Sequence, residues 1–107
     1  MPRVSKRESA KLDLTEHFEY LAEHAGWGIA ERFLNNAELS FADLARQPMM
    51  GAPLALRGKE LAGMRKWRVK GFDSHLIFYL PNTDGILVVR VLHAASDWWG
   101  LLGLDDS

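Results

Sequence analysis

Cysteine is absent from the 107 residues. That excludes disulfides, thiolate metal ligands and cysteine nucleophiles, and it agrees with a reducing cytosol. Net charge is nearly absent as well: thirteen Lys+Arg against 14 Asp+Glu leave −1, so total charge alone names no nucleic-acid partner. Long apolar runs are missing. The longest mainly apolar stretch, Gly85 to Ala95, is interrupted by Arg90 and His93 and is far too short to span a bilayer. The opening residues, from Met1 to Glu8, carry no apolar core of signal-peptide length. The expectation is a soluble, cytoplasmic protein without a membrane partner. No repeat and no linker rich in Pro, Gly or Ser divides the chain, so residues 1–107 read as one domain. What remains is ordinary globular composition, 48% hydrophobic and 25% charged, which argues against disorder.

Charge is segregated although the total cancels. From Glu8 to Asp43 there are eight acids (Glu8, Asp13, Glu16, Glu19, Glu23, Glu31, Glu38, Asp43) against two bases, Lys11 and Arg32. From Arg57 to Arg90 there are seven bases (Arg57, Lys59, Arg65, Lys66, Arg68, Lys70, Arg90) against Glu60, Asp73 and Asp84. Two readings follow: an acidic and a basic half that each present their sign to a partner, or two solvated faces.

The acidic half reads as a helical hairpin. Ala10, Leu14, Phe18, Leu21 and Ala25 recur at helical spacing, and Ser5-Lys6-Arg7-Glu8 has capping-box spacing just ahead of them. Gly26-Trp27-Gly28 breaks the pattern. A second stripe follows at Ile29 or Ala30, Phe33, Ala37, Phe41 and Leu44, and Pro48, Gly51 and Pro53 end it.

The basic half reads as a sheet. Met64 to Lys70 alternates, with Arg65, Trp67 and Val69 on one face and Lys66, Arg68 and Lys70 on the other. His75–Leu80 and Ile86–His93 are buried-strand runs joined by an Asn82-Thr83-Asp84-Gly85 turn. Pro2–Val4 is a further short strand, and Ser96 is placed to cap a short helical turn before the end. The expected fold class is α+β, ordered β-α-α-β-β-β, with a helical hairpin packed on a mainly antiparallel, curved sheet.

Several segments occur in a telling order: Ala10-Lys11-Leu12-Asp13-Leu14, Glu19-Tyr20-Leu21-Ala22-Glu23, Ala30-Glu31-Arg32-Phe33-Leu34, Phe41-Ala42-Asp43-Leu44-Ala45 and Pro48-Met49-Met50-Gly51. After them come Gly63-Met64-Arg65-Lys66-Trp67-Arg68-Val69, Leu76-Ile77-Phe78-Tyr79, Gly85-Ile86, and the closing run Val89 to Trp98. Over about residues 9 to 98 this series resembles the ParE branch of the RelE/ParE toxin superfamily, the toxin half of type II toxin–antitoxin modules. The resemblance implies a bacterial toxin of the kind found in plasmid-stabilisation modules, wrapped and silenced by a cognate antitoxin protein. It also implies DNA gyrase as target for a ParE-type member, against mRNA cleavage in the ribosomal A site for a RelE-type member. Two departures stand out. Ser96 occupies a position that is often Arg in the family, and the stretch ahead of Ala10 is longer than usual.

Cleavage of RNA by its own 2′-hydroxyl needs a base, an acid and cations for the extra phosphate charge. Arg65 and Arg90 are candidate cations, and His93 is the candidate proton-transfer group. No tyrosine or second basic residue follows His93 to complete the set. The structural alternatives are equally concrete. Arg65 and Arg90 pair with acids of the other half, His93 is a hydrogen-bonded structural histidine, and Lys66, Arg68 and Lys70 form a solvated strand face that also suits an acidic antitoxin segment or nucleic acid. Trp67 and Trp27 are expected in the core, whereas Trp98 and Trp99 are the tryptophans more apt to meet a partner. The surface assigned to target or partner is therefore Arg65, Lys66, Arg68, Lys70, Arg90, His93, Trp98 and Trp99. Other chemistry is set aside. Gly51 to Gly58-Lys59 lacks the spacing and the Ser/Thr of a phosphate loop. His17 and His24 lack a third ligand at suitable spacing, and no metal or small-molecule cofactor is expected. His93, Ser96 and Asp97 lie too close in sequence to argue a triad, and Asp105 and Asp106 read as a solvated tail. The resulting expectation is a gyrase-binding toxin, with direct RNA binding confined to a nuclease alternative, or a degenerate member that only binds its antitoxin.

Overall fold

The strand Arg3–Lys6 (β1) leads into two helices, Glu8–His24 (α1) and Trp27–Arg46 (α2), and a 3-10 turn at Pro48–Met50. Strands Ala52–Pro53 (β2), Arg65–Val69 (β3), Phe72–Pro81 (β4) and Gly85–His93 (β5) follow, then a one-turn helix, Trp98–Leu101 (α3). The computed structural model describes residues 2–54 and 62–102. The phosphate-loop-like Gly58-Lys59, the charges Arg57 and Glu60, and the acids Asp105 and Asp106 lie outside the described residues. The strands form one sheet in the order β1-β5-β4-β3-β2, antiparallel throughout except for the parallel β1–β5 pair. The expected α+β class and strand–helix–helix–strand order hold, with β2 as an addition and α3 as the short helical turn expected near the end. Among the described residues no helix is long and apolar enough to cross a membrane.

The stripe on α2 packs as its spacing requires: Ala30, Phe33, Ala37, Phe41 and Leu44 are all buried. Small residues between the phenylalanines let the helix approach the sheet closely. Ala10 and Leu14 of α1 join them against Val69, Ile77, Tyr79, Ile86, Val88 and Val91. Gly26, at φ 99°, reverses the chain between the helices, a conformation that costs a side-chain-bearing residue more. At the β4–β5 turn, Asn82 Oδ1 accepts from the Asp84 and Gly85 amides. Any Cβ at Gly85 would run into the Arg3 backbone beneath it, so the parallel strand itself demands glycine there.

Helix α1 begins later than the capping-box spacing suggests. Ser5 lies in β1, paired with Leu87, and the N-cap is Arg7 with no side-chain cap. The reason is the parallel pairing, which holds the backbone extended through Lys6. Past Lys6 the edge of β5 has no strand partner, and α1 takes over. The Arg7 amide donates to Val88 O (3.0 Å), and Ser9 Oγ donates to Val89 O (3.3 Å). Asp13 Oδ2 accepts from the Val91 amide (3.0 Å), and His17 Nε2 meets Val91 O (2.8 Å). Residues 9, 13 and 17 stand one turn apart on one side of the helix, so their side chains serve β5 as an adjoining strand would.

The second sheet face is not simply solvated. Neighbours alternate across a strand, so Phe78 points away from the face that buries Ile77 and Tyr79. It clusters there with Met64, Val89 and Leu92, and Trp98 and Leu102 pack onto them. The expected Lys66–Arg68–Lys70 face is therefore corrected twice. Lys66 lies over the Trp98 ring, 5.4 Å from its centroid, and Lys70 sits in the turn after β3. Trp27 also departs from expectation. It is 63% exposed, because it starts α2 at the hairpin tip, where its indole meets the edge of Phe18.

Candidate functional site

Two arginines singled out by sequence are tied into the fold. Arg90 donates through Nε and Nη2 to the two oxygens of Asp13 (2.7 and 2.8 Å) and through Nη1 to Leu101 O (3.2 Å). Its hydrogen bonding to Asp13 is the main reason its guanidinium is held above the ordinary arginine value. Arg65 Nη1 donates to Gly51 O (2.6 Å) and Met49 O (3.0 Å). Beside it the buried Tyr79 hydroxyl donates to Pro48 O (2.7 Å) and accepts from the Gly51 amide (2.9 Å). Burial pushes the Tyr79 phenol up. Arg65 and Tyr79 thus fasten the passage from α2 into the sheet, while Arg90 fastens α1 and α3 to β5. Arg90 realises the ion-pair alternative; Arg65 instead binds backbone carbonyls.

His93 ends β5 opposite His75 of β4, whereas Arg65 of β3 lies opposite Tyr79. Four residues of β4, roughly 13 Å of strand, separate those two register positions. The structure therefore does not assemble Arg65, Arg90 and His93 around one reacting phosphate. His93 Nδ1 accepts from the Ala95 amide (3.0 Å), a structural bond.

The remaining candidates gather on the second face. Arg68 is exposed and meets Asp73 at 3.9 Å. Trp98 stacks on Trp99 (4.4 Å between centroids) and leans on Phe78 (5.4 Å). Trp98 is therefore half-buried, whereas Trp99 is 44% exposed. Asp97, not Ser96, caps α3, accepting from the Gly100 amide, because the Ser96 hydroxyl donates to His93 O (2.6 Å). Lys66, Arg68, Trp98 and Trp99 make a basic and aromatic surface, with Lys70 exposed nearby in sequence but outside the strand.

Sequence reasoning missed His75. It shares a sheet face with Ile77 and Tyr79, and this period of two was the available signal for an inward ring. Among the described residues no group of three His, Asp or Glu is arranged to hold a metal.

A helical hairpin is seated on one face of a mixed five-stranded sheet, with Arg65 and Arg90 tied into the fold and a basic–aromatic surface on the second face. The family model described as ParE toxin of the type II toxin–antitoxin system, parDE, matches residues 4–98, and the chain belongs to that family. Among solved structures, a chain of the chromosomal ParDE TA system from P. aeruginosa is similar in fold, with a TM-score of 0.68 at 16% identity. That likeness covers 87% of this chain and 96% of the other. No curated protein matches.

Proposed function

We propose that this chain is the toxin of a type II toxin–antitoxin module, that it acts by binding and inhibiting DNA gyrase, and that a cognate antitoxin holds it inactive. What supports the reading, beyond family membership, is the fate of the nuclease candidates. Arg90 is paired with Asp13 and Arg65 is bound to two carbonyls, while His93 stands at the far end of the β4 register. A cation already committed to a protein carboxylate has little capacity left for a phosphate transition state. Lys66, Arg68 and Trp99, in contrast, face outward on the second side, and basic and aromatic side chains together suit a macromolecular surface.

The antitoxin reading rests on the same family and on charge. A segment bearing carboxylates suits Lys66 and Arg68, and among the described residues the short β2 pairs only with Arg65 and Lys66 on the β3 edge. The test is supercoiling by purified gyrase with added toxin, with and without antitoxin. Inhibition that antitoxin relieves is expected. Unaffected supercoiling at high toxin excess removes gyrase as the target, and new 5′ ends on translated message would reinstate the nuclease.

A further inference from the structure

A groove of about 540 Å3 lies between the C-terminal half of α1 and the end of β5, lined by Glu16, His17, Tyr20, Leu21, His75 and His93. Three imidazoles stand in a row within it. The ring of His75, 9% exposed, meets His17 edge-to-face at 4.8 Å and His93 at 5.3 Å. Its Nδ1 is buried without a hydrogen-bond partner. The outer rings are tied to backbone on either side, His17 Nε2 to Val91 O and His93 Nδ1 to the Ala95 amide. The row therefore joins α1 to the last residues of β5 through a central ring that itself has no polar anchor.

Among the described residues that line the groove, the only acid is Glu16. From α1 His75 faces His17, with Glu16 and Tyr20 along the groove; from β5 it faces His93. From α2 it meets Phe33, and from its own strand Phe72, neither ionisable. The nearest α1 carboxylate in the edge-capping row, Asp13, is held by Arg90. On β3, Arg68 is engaged with Asp73. A positive charge on His75 would thus stand buried between two imidazoles, with no acceptor for its Nδ1 among the described residues.

We propose that the His17–His75–His93 row is a proton-operated latch, closed on β5 while His75 is neutral and opened at the α1 side when His75 takes a proton. Burial first, and then the two neighbouring imidazoles, lower His75 from 6.5 to about 4. The sign follows from linkage. A base whose value is lowered in the closed state binds more protons once opened. Closure is therefore at full strength above 6.5 and weakens as pH falls towards about 4, by roughly tenfold in the opening constant per pH unit. The latch rests on the fold alone and stands or falls separately from the choice of gyrase as target.

The experiment is an imidazole NMR titration of the wild-type chain, joined to native-state amide exchange, between about pH 7.5 and 4.5. His75 is expected to titrate well below 6.5. Amides of His17–His24 should lose protection relative to α2 by roughly tenfold per unit below 6.5. His75→Phe, which keeps an aromatic ring against Phe33 and Phe72, should abolish that pH dependence. A His75 that titrates at 6.5 or above would overturn the latch, as would α1 protection that follows α2 at every pH. If His75→Phe does not fold, the wild-type titration and exchange still decide the question.

Discussion

Two regions of the sheet treat positive charge in opposite ways. At the edge of β5, Arg90, which lies opposite Phe78 in the register, reaches across to α1 and makes two hydrogen bonds to Asp13, which is itself only 6% exposed, and its charge is used to close the fold. On the second face of β3, Lys66 lies over Trp98 and Arg68 meets its carboxylate at 3.9 Å in the open. The lesson is that residue type and strand position do not assign a cation to function. What assigns it is whether the neighbouring element supplies an acceptor. Helix α1 does so for β5, whereas on the second face the Trp98–Leu102 cover offers Lys66 only a ring and leaves Arg68 exposed.

The largest effect should come from breaking the inner pair. Asp13→Ala strands a mostly buried guanidinium and the Val91 amide together, and should cost about 3–5 kcal/mol in chemical denaturation. Adding Arg90→Met should restore part of that loss, because the uncompensated charge is then gone. Acid comes next. His75, lowered to about 4, should withdraw on the order of 3 kcal/mol of stability between pH 7 and 4, read as a fall in denaturation midpoint that His75→Phe flattens. Tyr79→Phe removes the hydroxyl that bridges Pro48 O and the Gly51 amide, and should cost about 2 kcal/mol in the same assay. The smallest effect belongs to the outer face. Arg68→Ala should change stability by no more than about 0.5 kcal/mol, since its pair with Asp73 is long and exposed.

Much of this fold was readable locally. The α2 stripe from Ala30 to Leu44 and the Asn82–Gly85 turn depend on neighbours within a few residues, and both stand as the spacing implies. The candidate site was less readable because it depends on contacts between distant segments. Asp13 and Arg90 are 77 residues apart, and only the end of β1 at Lys6 explains why an acid on α1 is needed at β5. Likewise, the cover of Trp98 and Leu102 on the second face explains why Lys66 is not simply solvated, and nothing near Lys66 in sequence announces it. His75 belongs to both kinds. Its inward direction follows from strand alternation, but its company of His17 and His93 arises only when α1 and β5 meet.

The most direct measurement compares the wild-type chain with a Lys66→Ala/Arg68→Ala double variant, titrating each against gyrase supercoiling after denaturation has established that both are folded. The account predicts near wild-type stability with inhibition weakened by roughly tenfold or more, as loss of charged contacts at an interface would give. Undiminished inhibition by the double variant would contradict the claim that the cations of the second face grip the target.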